Sequence, residues 1–71
     1  MSRRERRAYR FQTGTPEAVL DDLRDRGLRL AGVSVAAGDA YGVYVVELVA
    51  SGTAALLDSA EEAWSLEPVV A

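Results

Sequence analysis

One run of the sequence constrains the fold more than any other: residues 41–50, YGVYVVELVA, which are rich in β-forming residues. Side chains of a strand point alternately to opposite sides of a sheet. One alternating set is Tyr44, Val46 and Leu48, and the other is Val43, Val45, Glu47 and Val49. A strand with one side in water would carry polar residues there, and this run carries a single glutamate. It therefore predicts a central strand with packing on both faces.

The length and the charge distribution indicate one small domain with a basic N-terminal arm. At 71 residues, 49% of them hydrophobic, the chain is near the lower limit for a self-sufficient core, so a partner chain would add stability. Residues 1–10 carry five arginines and one glutamate, a net charge of +4, whereas residues 11–71 carry three arginines and ten acids, a net charge of −7. We expect residues 1–6 to form a flexible arm and residues 7–71 to form the domain.

The arginines of this arm have two interpretations. They can contact phosphate, nucleic acid or an acidic partner, or they can form a solvated terminus that keeps the protein in solution. We favour the solvated terminus and do not expect a nucleic-acid partner. The reason is that one short arm offers little contact, and the acidic remainder of the chain would repel a phosphate backbone.

The residue types that are missing argue against catalysis. His, Cys and Lys are absent, and they supply most general bases, thiol nucleophiles and Schiff-base amines in enzymes. We therefore expect no enzyme activity, no catalytic residues, no metal site and no cofactor. Asp21, Asp22 and Asp25 lie on a predicted helix. We interpret these three carboxylates as a solvated face of that helix, which is simpler than a carboxylate metal site. No segment fits a secretory signal or the roughly 18 apolar residues of a membrane span, so we expect a cytoplasmic protein with no membrane partner.

Local signals divide the chain into four strands and two helices. The strands are predicted at residues 7–13, 28–37, 41–50 and 65–71, and the helices at residues 16–26 and 54–63. Thr15 and Pro16 are typical of the N-cap and first position of a helix, and Gly27 is typical of the residue after its end. Thr53 or Ser51 is expected to cap the second helix. The apolar stripes expected to face the core are Val19, Leu20 and Leu23 in the first helix and Leu56, Leu57, Ala60 and Trp64 in the second.

The second strand changes its alternation part-way along. Its two phases are Leu28 with Leu30, and Val33 with Val35. One extra residue at Ala31-Gly32 would place all four side chains on one face, which predicts a β-bulge. Gly38-Asp39 then predicts a tight hairpin to the third strand.

This order of elements predicts an α+β fold, a ferredoxin-like βαββαβ two-layer sandwich. Its antiparallel sheet would have the strand order 4-1-3-2, with both helices on one face. Val43, Val45 and Val49 would then lie on the uncovered face, where we expect Glu47 to pair with Arg10 of the first strand. An apolar row on an uncovered face predicts an interface, so we expect a homodimer, a larger homo-oligomer or another protein partner.

Residues 14–35, GTPEAVLDDLRDRGLRLAGVSV, resemble the first loop, first helix and second strand of ACT domains. The similarity continues through the third strand and second helix, and it covers residues 8–71. ACT domains are small regulatory modules that pair and commonly hold an amino acid at the interface. The resemblance implies a bound small metabolite contacted by the following residues: Gln12, Thr13, Gly14 and Thr15, with Val33 and Ser34 opposite.

These observations leave three functions open. The first is a non-catalytic, self-associating accessory or regulatory module that uses the uncovered face or an ACT-like interface. We rank it first because it rests on the apolar face itself. The second is an ACT-like sensor of a small metabolite such as an amino acid, which rests on resemblance. The third is a nucleic-acid-associated protein that uses the arginine arm.

Overall fold

The computed structural model describes residues 3–69 of the chain. Within that range the elements are β1 (Arg4–Thr13), α1 (Pro16–Asp25), β2 (Arg29–Ala37), β3 (Tyr44–Thr53) and α2 (Ala54–Trp64). The strands form one antiparallel sheet in the order β1-β3-β2. The predicted α+β class is therefore confirmed, and so is the central position of the third strand.

The apolar core lies between one face of the sheet and both helices. Its buried members are Tyr9, Val19, Leu20, Leu23, Leu28, Val46, Leu48, Ala50, Leu57, Ala60 and Leu66. Val46, Leu48 and Ala50 occupy alternate positions of β3, so one face of this strand is buried. Val46 and Leu48 lie where the alternation predicts them. Tyr44, assigned to the same face, is 41% exposed because it begins the strand, beside the hairpin.

Three of the predicted helix signals act as expected, and one does not. Pro16 occupies the first position of α1. Gly27 follows α1 with a left-handed φ of +94°, which glycine adopts without strain. Thr53 caps α2, and its Oγ1 accepts a hydrogen bond from the Leu56 N–H at 3.3 Å. The prediction that the Thr15 side chain caps α1 is wrong. The Thr15 N–H instead donates to Oγ1 of Thr13 at 3.1 Å, and the Thr15 side chain makes no cap bond.

The predicted β-bulge in β2 is confirmed. The register with β3 passes from Ala31 opposite Val49 to Ser34 opposite Glu47, so two residues of β2 oppose the single Leu48. Gly32, one of the two, has a left-handed φ of +59°. The bulge keeps the apolar side chains on the helix side: Leu30 opposes Ala50, and Val35 opposes Val46.

Several element boundaries differ from the predicted ones. β1 begins at Arg4, so residues 4–6 pair with residues 51–53 where a flexible arm was predicted; residues 1 and 2 lie outside the described range. β3 begins at Tyr44, not at Tyr41, because Gly42 has a φ of +80° that a strand does not accommodate. The tight hairpin at residues 38–39 is replaced by a longer connection, residues 38–43, closed by a 2.7 Å bond from the Gly38 N–H to the Val43 carbonyl.

The predicted fourth strand does not appear among the described residues. The segment after α2 makes one antiparallel bridge, between Tyr9 and Pro68, and the Val69 N–H donates to the Ala8 carbonyl at 2.7 Å. Pro68 has no N–H to donate, which limits the ladder at this point. The strand order 4-1-3-2 is therefore not observed over residues 3–69, and Val70 and Ala71 lie outside them.

Candidate interaction surface on the open face of the sheet

The side of the sheet opposite the helices, which we term the open face, is formed by alternate residues of the three strands. Directly opposed residues of antiparallel strands point to the same side, so the two registers align these side chains in cross-strand rows. Starting from the hairpin end, the rows are Gln12–Val45–Ala36, Arg10–Glu47–Ser34, Ala8–Val49–Ala31 and Arg6–Ser51–Arg29. The open face therefore has a charged row between two rows that are mainly small or apolar, and a basic row at one end.

The apolar rows of the open face are only partly shielded. Val49 is 37% exposed, and it lies between Ala8 of β1 and Ala31 of β2. Val45, one row beyond the charged pair, is half-buried. Shallow hollows of about 410 and 330 Å³ border Arg10 and Glu47, so the face is uneven. The apolar side chains between them are short, which allows another sheet to approach closely.

The predicted pairing of Arg10 with Glu47 is confirmed. The two residues are directly opposed in the β1–β3 register, and Arg10 Nε lies 3.4 Å from Glu47 Oε1. Their side chains are 66% and 58% exposed. An ion pair this exposed stabilises a fold by only about 0–1 kcal/mol. Its charges are therefore available to a partner at little cost to the fold.

Four of the five predicted interface residues lie together on the open face: Arg10, Val45, Glu47 and Val49. The fifth, Val43, does not. It lies in the connection before β3, where its carbonyl accepts the Gly38 N–H. That the four residues on the open face bind a partner stays a prediction.

The six residues implied as ligand contacts do not converge on one site within the chain. Gly14 and Thr15 line a groove of about 600 Å³ between the start of α1 and the sheet, together with Val35 and Tyr44. Gln12 and Ser34 lie on the open face instead, because they oppose Val45 and Glu47. Thr13 and Val33 are also absent from the groove lining, although Thr13 bonds to the Thr15 N–H.

A polar cluster that the sequence analysis missed joins β1 to α2 on the helix side. Arg7 Nη1 donates to Glu61 Oε2 and to Asp58 Oδ1, both at 2.7 Å, and Arg7 Nη2 donates to Glu5 Oε2 at 2.9 Å. The Tyr9 hydroxyl also donates to Glu61 Oε2, at 2.7 Å. Burial, and then the bond to Glu61, raise the pKa of the Tyr9 hydroxyl above its usual range. The only signal of this polar cluster in the sequence was that Arg7 and Tyr9 alternate onto the same face of one strand.

A second missed cluster joins the two helices. Asp22 Oδ2 accepts from Arg26 Nε at 2.6 Å and from Trp64 Nε1 at 2.7 Å, and Arg26 Nη1 donates to Ser59 Oγ at 2.9 Å. The Arg26 bond, followed by the Trp64 bond, lowers the pKa of the Asp22 carboxyl. Trp64 was predicted to face the core, but it is 37% exposed and packs at the margin between the helices. Both clusters pair each carboxylate with donors, an arrangement that stabilises helix packing.

Over residues 3–69, no group of three or more acidic side chains is placed to hold a metal ion. No helix in that range is long and apolar enough to cross a membrane.

Comparison with protein-family models, with curated proteins and with solved structures finds no match to this chain. The resemblance to ACT domains therefore stays a prediction.

Proposed function

We propose that this chain is a non-catalytic, self-associating module, in which two copies pack their open faces together in an accessory or regulatory role. The observation that carries the proposal is the exposure of Val49, flanked by two alanines, on a sheet face without helix cover. A sheet is stable when both faces are covered or when the second face is polar. The Val49 row is not polar, so burial against a second copy would remove apolar surface from water.

The charged row, Arg10 and Glu47, favours one relative orientation of the two copies. Arg10 and Glu47 are adjacent, of opposite sign and more than half exposed. In a two-fold pairing with a small offset, Arg10 of one copy reaches Glu47 of the other, so neither charge of this row is left unpaired. This matters because a single charge buried without a partner in an interface costs more free energy than a buried pair of opposite charges.

The size of the open face sets the expected affinity of one copy for the other. β1 and β3 each have 10 residues. Three strands of this length span roughly 14 Å by 33 Å, or about 450 Å² for each copy. The total of about 900 Å², which includes the basic row, lies just below the roughly 1,000 Å² that a specific interface exceeds and is in the range of weak, transient contacts. We therefore expect a weak dimer, with a dissociation constant of roughly micromolar order.

The test is sedimentation velocity or light scattering over a concentration series that brackets the micromolar range. We expect wild-type chains to dimerise as concentration rises and Val49→Asp to stay monomeric, because the aspartate would be buried without a partner. The matched control is Val33→Asp, which changes a valine of similar exposure, 39%, on the outer strand β2. It should leave the dimer intact. A wild-type chain that stays monomeric at the highest concentration would refute the proposal.

The groove at the start of α1 supports a second candidate, an ACT-like sensor of a small metabolite such as an amino acid. Its volume of about 600 Å³ is that of a small-molecule site. The groove lies beside Val35 of the outer strand β2, so a copy paired along β2 would close it. In that arrangement Val33→Asp, and not Val49→Asp, would disrupt the dimer. The same pair of variants therefore distinguishes the two candidates.

Ligand binding to this groove has its own test. A thermal-shift screen with the common amino acids should give at least one stabilising ligand. Tyr44→Ala should abolish that effect, because Tyr44 lines the groove. Tyr41→Ala is the control, since Tyr41 lies in the connection before β3 and is fully exposed. The absence of a shift with every amino acid would count against the sensor.

The ferredoxin-like form of the fold is part of the same proposal. The bridge between Tyr9 and Pro68 and the bond from the Val69 N–H support a fourth strand beside β1. Slow hydrogen exchange of the Val69 amide is expected if this strand forms. Exchange at the rate of a free peptide would argue against the order 4-1-3-2.

A further inference from the structure

The end of the open face farthest from the hairpin carries three arginines: Arg4, Arg6 and Arg29. Among residues 3–69, none of these three has a carboxylate within ion-pair distance. Arg7 and Arg10 of β1, Arg24 of α1 and Arg26 at the C-cap of α1 each have one, whereas Arg3, directly before β1, has none in this range. The charges without carboxylate partners are therefore gathered at one place on the sheet.

The strand registers explain why these side chains meet. Arg6 and Arg29 both oppose Ser51, one from β1 and one from β2. Their Cα atoms are therefore roughly 10 Å apart, with the Ser51 hydroxyl between them. Arg4 lies two residues before Arg6 on the same strand face, about 7 Å away. A shallow hollow of about 490 Å³ at this point is lined by Arg6, Arg29 and Ser51, together with the apolar residues Leu30, Ala31 and Val49. Arg4 lies beside this hollow and does not line it.

The chemistry of this group fits an anion that carries several charges close together. Guanidinium groups bind phosphate through paired N–H donors, and a serine hydroxyl adds one more donor. A single carboxylate would neutralise one arginine, whereas two or three linked phosphate groups span the distance between the arginines and compensate all of them. The rows of the open face contain no aromatic side chain on which a nucleic-acid base could stack. Linked phosphates without a stacked base are therefore the favoured ligand chemistry.

We infer that Arg6, Arg29 and Ser51, with Arg4 beside them, bind the linked phosphate groups of a small anion. The source is either a free oligophosphate or the phosphate chain of a nucleotide, which share this chemistry. The site goes beyond self-association, and it includes residues of three different strands rather than the N-terminal segment alone.

The test is a titration of the whole chain with sodium tripolyphosphate at low salt, followed by the backbone amide signals in two-dimensional NMR. We expect saturable shifts centred on Ser51 and Arg29. Arg6→Gln and Arg29→Gln should each weaken binding about tenfold, the equivalent of one charge-assisted hydrogen bond. Arg24→Gln makes the same change of charge on α1, outside the open face, and should weaken binding less than about twofold.

The absence of a saturable shift would overturn the inference, and so would equal weakening by Arg24→Gln or an equal response to sodium sulfate at matched ionic strength. A parallel titration with uridine triphosphate identifies the source. Tighter binding of the nucleotide indicates a nucleotide ligand, and equal binding indicates the phosphate chain alone. If a polyuridylate binds more tightly per phosphate than tripolyphosphate does, the surface is a nucleic-acid site and the inference fails.

The titration is repeated with Val45→Asp, which changes the open face three rows away from Arg6 and Arg29 and is expected to be monomeric. Binding of tripolyphosphate to that variant supports the anion site whether or not the wild-type chain dimerises. Loss of binding in that variant alone, with its fold intact by circular dichroism, would show that the site needs the dimer and would refute a site formed by one chain.

Discussion

Replacement of Arg7 by glutamine tests how far one side chain holds α2 against the sheet. Arg7 is 20% exposed and contacts three carboxylates, of which Glu61 is 22% exposed and Asp58 is 68% exposed. The half-buried contact with Glu61 is a charge-assisted hydrogen bond, and such bonds contribute about 1.5–3 kcal/mol. The exposed pairs contribute about 0–1 kcal/mol each and are screened by salt. Tyr9 still donates to Glu61 after the change, so this carboxylate keeps one partner.

We therefore expect Arg7→Gln to lower the free energy of unfolding by about 2 kcal/mol. A chain of 71 residues has a free energy of unfolding of roughly 4–10 kcal/mol, so the loss is a large fraction of it. The midpoint of thermal unfolding should fall by roughly 10 °C. The assay is urea unfolding followed by far-UV circular dichroism, at a concentration low enough that dimerisation does not contribute.

Double-mutant cycles locate the effect. Arg7→Gln combined with Glu61→Gln should show a coupling energy of about 1–2 kcal/mol, and combined with Asp58→Asn less than about 0.5 kcal/mol. Arg24→Gln is the control for loss of an exposed pair, because Arg24 Nη1 lies 3.8 Å from Asp21 and both side chains are more than half exposed. Equal destabilisation by Arg7→Gln and Arg24→Gln would refute the reasoning, since burial would then make no difference.

Three further predictions follow from single contacts. Gly38→Ala should destabilise by about 1–3 kcal/mol, because its Cβ would lie 2.9 Å from the Val43 carbonyl oxygen; unchanged urea unfolding would contradict this. The wild-type chain should be more stable than Asp22→Asn at neutral pH, and this difference should disappear as pH falls below about 4, because Arg26 lowers the pKa of the Asp22 carboxyl in the folded state. An acid titration followed by circular dichroism checks this prediction. The difference in stability between the wild-type chain and Tyr9→Phe should decline as pH rises above about 10, because the Tyr9 hydroxyl has a raised pKa in the folded state and ionises first in the unfolded state. A difference that stays constant with pH would contradict this prediction.

Local sequence signals predicted features that depend on a few neighbouring residues. The phase change at Ala31-Gly32 became a bulge because two successive residues must oppose one when the apolar phase shifts. Thr53 and Gly27 act at helix ends through bonds and φ angles within one turn. The pairing of Arg10 with Glu47 was also predictable, because alternation assigned both residues to the open face.

The ends of the strands were predicted less well than their positions. The reason is that a strand extends as far as a neighbouring strand offers hydrogen-bond partners, which local sequence signals do not show. Residues 4–6 carry no apolar alternation, yet they are in β1 because the end of β3 offers them hydrogen-bond partners. Tyr41 and Val43 are β-forming residues, but the turn at Gly42 excludes them from β3. The Pro68 segment had the composition of an edge strand and formed a single bridge.

By itself, the sequence determined which residues alternate, where the helices begin and end, and that positive charge is concentrated near the N-terminus. Only the tertiary structure decided which distant side chains meet. Arg7 and Glu61 are separated by 54 positions, and their contact depends on how α2 lies across β1. Likewise, Arg29 joins Arg4 and Arg6 only because β2 and β1 flank the same stretch of β3. The physical reason is that backbone preferences act over a few residues, whereas contacts between elements depend on the packing of the whole core.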